Sequence, residues 1–187
     1  RDEAGRKQYI YHPRFVEVRD AAKYARLTCF ATALPRLRRR VRRDLGAADD
    51  RVRMTAAAVR LMDLALIRVG NPLAAATSGS YGATTLRRKH VRVDGDAIDL
   101  RFVGKSGERQ VHTLVDEELA AVVRDCQDLP GYELFRYASE DGNVHVIDSR
   151  DVNEYIQTVS GEGVTAKDFR TWGGTVACAA GLHRLSL

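Results

Sequence analysis

Two cations near the end of the chain have the spacing of an anion-binding site. Lys167 and Arg170 lie three residues apart, so in a helix their side chains share one face. Thr165, with Asp168 three residues later, has the spacing of a capping box and predicts where that helix begins. A helix that presents two cations on one side can hold an anion, although an ordinary basic surface has the same pattern.

Arg68 and Lys105, far upstream, are two further candidates. Arg68 is predicted to end a helix before Gly-Asn-Pro (70–72), where its charge would either stabilise the helix dipole or clamp a phosphate through paired N–H donors. Lys105 lies between two glycines at the predicted tip of a β-hairpin, where the backbone can approach another molecule closely. A free lysine has a pKa of about 10.4, so Lys105 could donate a proton near neutral pH.

The elements that must position these residues are mainly helical. Apolar spacing predicts helices over 15–33, from Pro35 to Gly46, from Asp49 or Asp50 to Arg68, from Asp116 to 128, from Asp148 to 159, and from Thr165 onward. The last of these is expected to bury Phe169, Trp172 and Val176. Alternating apolar residues predict three antiparallel strands around 91–93, 98–102 and 110–115, and a short strand before Pro13. The predicted class is mainly α (α+β), a multihelical domain with a small three-stranded antiparallel sheet.

The composition of the chain indicates its domain size, its cellular compartment and the kind of molecule that it binds. A chain of 187 residues with 44% hydrophobic content can form one domain with a substantial core. It contains no apolar segment of membrane-spanning length and no predicted signal peptide. Its three cysteines are odd in number and widely spaced, which favours a reducing, cytoplasmic compartment. Six arginines crowd residues 36–43, so nucleic acid is the first partner to consider, with a merely solvated basic face as the alternative.

Several stretches, in order along the chain, resemble the type IB DNA topoisomerases and above all their compact bacterial and poxvirus branch. They are Arg-Val-Gly-Asn (68–71), Thr-Leu-Arg-Arg-Lys-His-Val (85–91), Phe-Val-Gly-Lys-Ser-Gly (102–107) and Lys-Asp-Phe-Arg-Thr-Trp (167–172). The opening Gly-Arg-Lys-Gln-Tyr-Ile-Tyr-His-Pro (5–13) resembles the passage from that family's N-terminal DNA-clamping domain into its catalytic domain. Residues 1–13 are therefore expected to end the clamping domain, and residues 14–187 to form the catalytic domain.

The resemblance implies the fold shared by tyrosine recombinases and type IB topoisomerases, and a role for each candidate. Arg68 and Arg170 would bind the non-bridging oxygens of the scissile phosphate, Lys105 would protonate the departing 5′-oxygen, and Lys167 would add a cation. The resemblance also implies DNA contacts from Gln8, Tyr9 and Tyr11. It further implies a monomer that clamps duplex DNA, relaxes it through a 3′-phosphotyrosyl intermediate, works without metal or cofactor, and in this branch associates with the bacterial nucleoid.

The chain departs from that family at the nucleophile. The family's attacking tyrosine follows the second arginine, but no tyrosine follows Arg170 here, and all seven tyrosines lie upstream. The expectation is therefore a catalytic domain truncated before its nucleophile and inactive alone in DNA cleavage. Two alternatives stay open. Tyrosine recombinases and integrases use a similar site, although they usually have histidine where this chain has Lys167, and a non-catalytic DNA-binding protein would need only the arginines.

Overall fold

The computed structural model describes residues 5, 7–139 and 141–185. Within them lie six α-helices and two sheets: α1 Pro13–Leu45, α2 Asp50–Ala65, α3 Pro72–Ser78, β1 Val91–Asp94, β2 Ala97–Val103, β3 Arg109–Val115, α4 Glu117–Asp128, β4 Arg136–Ala138, β5 Val144–Val146, α5 Ser149–Ser160 and α6 Ala166–Leu185. Strands β1, β2 and β3 form one antiparallel sheet in that order, and β4 pairs with β5. The predicted class, mainly helical with a three-stranded antiparallel sheet, is confirmed.

Helix α1 replaces two predicted helices. The interpretation of Pro35 as the first turn of a second helix is wrong, because α1 passes through it. Proline has no N–H to donate and costs a helix interior about 3 kcal/mol. The flanking side chains of Phe30, Leu34 and Leu37 are buried in the core, and α1 packs against α2 and α5. Burial on both sides of Pro35 therefore keeps the helix continuous despite the missing hydrogen bond.

The short strand predicted before Pro13 is also wrong in the part of the opening stretch that the structure describes. Residues 7–12 have no regular secondary structure and are exposed, and none of the strands among the described residues pairs with them. Residues 1–4 and 6 lie outside the described residues. The division at residue 13 into a clamping and a catalytic domain stays a prediction.

Helix α2 ends at Ala65, three residues before the predicted end at Arg68. Leu66 follows in the left-handed conformation with φ 52°, and its N–H donates to the Met62 carbonyl at 2.9 Å. The Gly-Asn-Pro signal instead begins the unpredicted helix α3, whose first turn is capped by the Asn71 side chain accepting from the Ala74 N–H at 3.2 Å. Arg68 therefore lies in the loop between α2 and α3.

The three-stranded sheet carries Lys105 on its β2–β3 turn. Val91 pairs with Leu100, and Val103 pairs with Arg109, so β2 is central. Alternate residues of β2 are buried and anchor the sheet on the core: Ile98, Leu100 and Phe102. This alternation confirms the predicted hairpin and its turn.

The core lies between α1, α2, α4 and α5 and includes one buried cation and one buried thiol. The Arg136 guanidinium is 1% exposed and donates to backbone carbonyls around the end of α4: those of Pro130 at 2.6 Å, Glu133, Leu129 and Cys126. The Cys126 thiol lies 3.1 Å from the Met54 sulfur on α2, and burial raises its pKa to about 12. Cys29 and Cys178 are exposed. No helix in the described part of the chain has both the length and the apolar character to cross a membrane.

Candidate functional site

The four predicted cations line one open cleft of about 750 Å³, which we call the cationic cleft. Arg68 comes from the α2–α3 loop, Lys105 from the β2–β3 turn, and Lys167 and Arg170 from the first turns of α6. Three remote stretches of sequence therefore meet at one place. Among the described residues, none of the four has an acidic side chain in salt-bridge contact. A cleft with four cations and no counterion is suited to a ligand that brings negative charge.

A backbone clamp positions Arg68. The Ala83 N–H donates to the Arg68 carbonyl at 2.8 Å, and the Thr84 N–H donates to the Val69 carbonyl at 2.7 Å. Gly82 makes this close approach possible, since a Cβ there would lie 2.5 Å from the Arg68 carbonyl oxygen and 2.6 Å from the Gly70 nitrogen. The segment 82–84 therefore fixes the loop that carries Arg68.

The start of α6 positions Arg170 and Lys167. Asp168 is buried and accepts hydrogen bonds from the Thr165 N–H at 2.8 Å and the Thr165 hydroxyl at 3.0 Å. The carboxylate half of the predicted capping box therefore forms, whereas the Thr165 hydroxyl donates to Asp168 instead of accepting from a backbone N–H. The same carboxylate pairs with Arg26 of α1 at 3.2 Å. Phe169 packs edge-on against Phe30 of α1, with ring centroids 5.0 Å apart.

Burial on the other side of α6 is only partly as predicted. Phe169 is buried and Trp172 is half-buried, but Val176 is 47% exposed, so the prediction for Val176 is wrong. Residues 174–185 are all exposed, so no element within the described part of the chain covers the second half of this helix. Helical spacing cannot show where a helix leaves the body of a protein.

Electrostatics link Arg170 to Arg68. Arg170 is half-buried, and both this burial and the nearby Arg68 charge lower its pKa below the ordinary value. Each effect disfavours the charged form of the side chain. An anion held between the two guanidinium groups would relieve the repulsion and could accept paired hydrogen bonds from both.

Lys105 is exposed on a tight turn in which Gly104 N–H donates to the Glu108 carbonyl at 2.7 Å and Ser106 has φ 66°. The turn is tied to the rest of the site by Tyr81, whose N–H donates to the Val103 carbonyl at 2.8 Å. Tyr81 also lines the cleft, with its ring 4.4 Å from the His90 ring. Sequence reasoning missed Tyr81, since a lone tyrosine before a glycine carries no local signal of a site.

The predicted DNA-contact residues do not line the cleft. Tyr9 and Tyr11 are 69% and 50% exposed, and their rings stack 6.3 Å apart just before α1. The Tyr11 ring also stacks on Phe15 at 5.1 Å. Gln8 is exposed beside them. The structure thus places Tyr9 and Tyr11 against each other, and none of the three residues lines the cleft.

The arginines of residues 36–43 do not form one uniform surface. Arg38 makes two 2.8 Å hydrogen bonds to Asp63. Arg40 and Arg43 both bond the buried Asp44 carboxylate, which also accepts from the Tyr155 hydroxyl at 2.9 Å. Burial raises the pKa of Asp44, but the hydrogen bonds from its three partners lower it more, so it lies below its ordinary value.

Part of this segment still faces an open space. A second cleft of about 680 Å³ lies between α1 and the end of α5, and four arginines line it: Arg36, Arg39, Arg40 and Arg43. Arg36 also donates to the Val159 carbonyl. No hydrogen bond or ion pair of Arg39 occurs within the described residues. The basic segment is therefore partly committed to internal contacts and partly available.

Among the described residues, no three histidine, cysteine or acidic side chains lie close enough together to bind a metal ion.

A family model and a curated relative that match this chain are both those of DNA topoisomerases. The family model for the catalytic core of eukaryotic DNA topoisomerase I matches residues 12–186. DNA topoisomerase 1B of Acanthamoeba polyphaga mimivirus is 34% identical over 180 residues, which cover 94% of this chain and 54% of the viral protein. The chain thus spans about half the length of that relative.

A solved structure of the XerH site-specific recombinase, bound to its difH substrate in a pre-cleavage complex, is 11% identical. It has a TM-score of 0.47 and covers 74% of this chain and 39% of that one. A similarity this low bears neither on the site nor on the activity.

Proposed function

Because the chain belongs to the type IB DNA topoisomerase family, we propose that its cationic cleft holds one phosphodiester of duplex DNA while a strand is cut and resealed. The observation that best supports this is the convergence of four cations, from three separate parts of the chain, on one cleft without acidic partners among the described residues. The family match also favours a topoisomerase over the recombinase alternative.

Arg68 and Arg170 are proposed to stabilise the transition state. Nucleophilic attack on a phosphodiester builds negative charge on the non-bridging oxygens, and two fixed guanidinium groups would bind those oxygens more tightly as the charge develops. The lowered pKa of Arg170 supports this, because after burial the nearby Arg68 charge is its second cause, so the two guanidinium groups are close enough to repel each other. Loss of one such donor is expected to raise the barrier by about 2.7–4 kcal/mol.

Lys105 is proposed as the proton donor. A tyrosine hydroxyl would release its proton to solvent and attack the phosphorus, forming a 3′-phosphotyrosyl bond. At the same time the bond to the 5′-oxygen breaks, and that oxygen takes a proton from the Lys105 ammonium. Resealing runs the same steps in reverse. The phosphotyrosyl link keeps the energy of the broken bond, so this reaction requires no ATP. Proton donation of this kind contributes about 10²–10⁴-fold to the rate, and Lys167 would add positive charge at the same phosphate.

The attacking tyrosine has no counterpart after Arg170 in these 187 residues. Among the upstream tyrosines, Tyr155 donates to Asp44. Tyr81 lines the cleft with its ring packed against His90, but it precedes Arg170 in the chain, unlike the tyrosine that the resemblance implies. The chain by itself is therefore expected to bind DNA and to form no covalent adduct. A suicide substrate tests this, because a covalent complex with this polypeptide would contradict the proposed division of roles.

Binding to a short fluorescent duplex tests the cleft directly. Arg68→Ala and Arg170→Ala should each weaken binding about tenfold, as expected for loss of a charge-assisted hydrogen bond. Arg51→Ala is the matched control, because Arg51 already pairs with Asp151 at 2.6 Å and lies outside the cleft. If both cleft variants bound DNA as tightly as the Arg51 variant, the proposed function would be wrong.

The second cleft is proposed to contact the DNA backbone as well. Only arginines that are free of acidic partners can replace counterions on phosphates, so Arg39 is a better candidate than Arg38. Arg39→Ala should lower the slope of log affinity against log salt by about 0.9, the value for one phosphate contact. Arg38→Ala should leave the slope unchanged, and the reverse order would contradict this assignment.

The remaining expectations also stay proposals. They are the monomeric clamp, the DNA contacts of Gln8, Tyr9 and Tyr11, and a cytoplasmic, nucleoid-associated location, the named relative being viral. Plasmid relaxation, compared with recombination between paired sites, would separate topoisomerase from recombinase activity.

A further inference from the structure

Leu66 adopts a costly backbone conformation next to the cationic cleft. Its φ of 52° and ψ of 29° lie in the left-handed region, which side chains with a Cβ rarely occupy. Among the described residues, only Ser106 shares this feature without being glycine. A strained residue persists where its surroundings hold it, and such residues are often found at functional sites.

The Leu66 side chain covers Gly173 of α6. A Cβ added to Gly173 would lie 2.4 Å from Leu66 Cδ1, 2.6 Å from Cδ2 and 3.0 Å from Cγ. No side chain other than the hydrogen of glycine fits at position 173 while Leu66 stays in place. Helices α2 and α6 also pack against each other elsewhere, and the contact of Leu66 with Gly173 is the one that lies between the Arg68 loop and the turn of α6 after Arg170.

The same leucine side chain reaches the functional site. Leu66 lines a small cavity of about 60 Å³ together with Arg68, Lys105 and Arg170. Arg68 follows Leu66 by two residues, and Arg170 precedes Gly173 by three, about one helical turn. The contact thus joins the two segments that carry the two arginines, at a point within one turn of each.

We propose that the contact between Leu66 and Gly173 is a positioning device that sets the separation of the Arg68 and Arg170 guanidinium groups. The inference rests on the proposed function, in which both groups bind one phosphodiester. Two like charges that line the same cleft repel each other, so their spacing must be imposed by packing. Leu66 and Gly173 supply that packing and would act on the phosphate only through the arginines.

The test uses thymidylyl-3′,5′-thymidine, which contains a single backbone diester, titrated into this chain and followed by NMR. Gly173→Ala should weaken binding about threefold, because the Leu66 side chain, which is 39% exposed, must leave its place over position 173 or α6 must move. Gly174→Ala is the matched control on the same helix, since a Cβ there meets nothing within 4 Å. The control should bind the dinucleotide as the unaltered chain does.

Two further variants separate positioning from general destabilisation. In an Arg68→Ala background, Gly173→Ala should weaken binding no further, since no pair of arginines remains to be spaced. Leu66→Ala combined with Gly173→Ala should recover most of the affinity, because the overlapping atoms are gone. If Gly173→Ala does not fold, Leu66→Gly gives the same test, with an expected loss of about threefold that depends on Arg170.

The outcomes are distinguishable. If Arg68→Ala and Arg170→Ala themselves leave dinucleotide binding unchanged, the proposed function fails. If those two variants weaken binding but Gly173→Ala binds as tightly as the Gly174 control, only the positioning role is overturned. The positioning role is also overturned if Gly173→Ala weakens dinucleotide binding as much in the Arg68→Ala background as it does in the unaltered chain.

Discussion

Gly82→Ala tests whether the clamp on the Arg68 loop is as tight as its geometry indicates. Gly82 has φ −152°, a value open to any residue, so an alanine there adds no backbone strain. The added Cβ would instead meet three backbone atoms: the Arg68 carbonyl oxygen at 2.5 Å, the Gly70 nitrogen at 2.6 Å and the Gly70 Cα at 2.7 Å. Backbone cannot rotate away as a side chain can, so the loop itself must shift.

The expected cost follows from that overlap. Overpacking of one methyl group costs about 1–3 kcal/mol. The shift also weakens the hydrogen bonds from Ala83 to Arg68 and from Thr84 to Val69, each worth about 0.5–1.5 kcal/mol. For a chain of this length, each kcal/mol lowers Tm by about 2–4 °C, so overpacking alone should lower it by about 2–12 °C.

The assay combines thermal unfolding, followed by circular dichroism, with binding to a labelled duplex. Gly82→Ala should lower both Tm and DNA affinity, since Arg68 moves with its loop. Gly174→Ala, which adds its methyl group to open space on α6, should raise stability by up to about 1 kcal/mol through helix propensity. A Gly82 variant that keeps both the Tm and the DNA affinity of the unaltered chain would refute the clamp.

Three further predictions concern the interior. Asp44→Asn should lower the free energy of unfolding by about 1–3 kcal/mol at pH 7. The pKa of Asp44 is depressed in the folded state, so its carboxylate stabilises the fold fully above the ordinary pKa of about 3.9 and loses this effect as pH falls through the folded value. Urea unfolding curves of the variant and the wild type should therefore converge in acid. Burial, with the charges of Lys89 and Arg87, lowers the pKa of His90. The free energy of unfolding should therefore fall as pH drops from the ordinary histidine pKa of about 6.5 toward the lower pKa of His90 in the folded state. His90→Asn should make the free energy of unfolding measurably less dependent on pH in that range. Arg136→Met should cost about 3 kcal/mol or more in urea unfolding, since it leaves several buried carbonyls without donors; a smaller loss would mean that water replaces the guanidinium.

Local chemistry made part of the fold predictable. The Asp116 and Asp148 side chains accept hydrogen bonds from the first-turn amides of α4 and α5, as their positions before apolar periodic segments indicate. The turns of the three-stranded sheet follow in the same way from Asp94-Gly95 and from the glycines around Lys105. Each of these features depends on residues within a few positions of one another.

Features that depend on distant partners could not be predicted. Nothing near Pro35 shows that burial on both sides carries α1 through it, and nothing near Leu66 shows that α6 lies against it. The pairing of Arg38 with Asp63 is equally invisible in the sequence, because the two residues lie on different helices. Strands β4 and β5 have three residues each, too few to show alternation.

The candidate site could be predicted only in part from the sequence. Residue types and turn chemistry single out Arg68, Lys105 and Arg170 as cations with unusual neighbours, but no spacing rule joins three such distant stretches. Only the resemblance to a known family predicted that they act together. That they line one cleft is a result of tertiary packing.

The cysteines give this chain an internal reporter of its own opening. Cys29 and Cys178 are accessible to a thiol reagent in the native state, whereas Cys126 is shielded between α4 and α2 and holds its proton tightly. Reagent can reach Cys126 only when those two helices separate, so the rate at which it is modified measures how often the core opens. Pulse labelling read by mass spectrometry would therefore time that event in every variant described above, without any added probe.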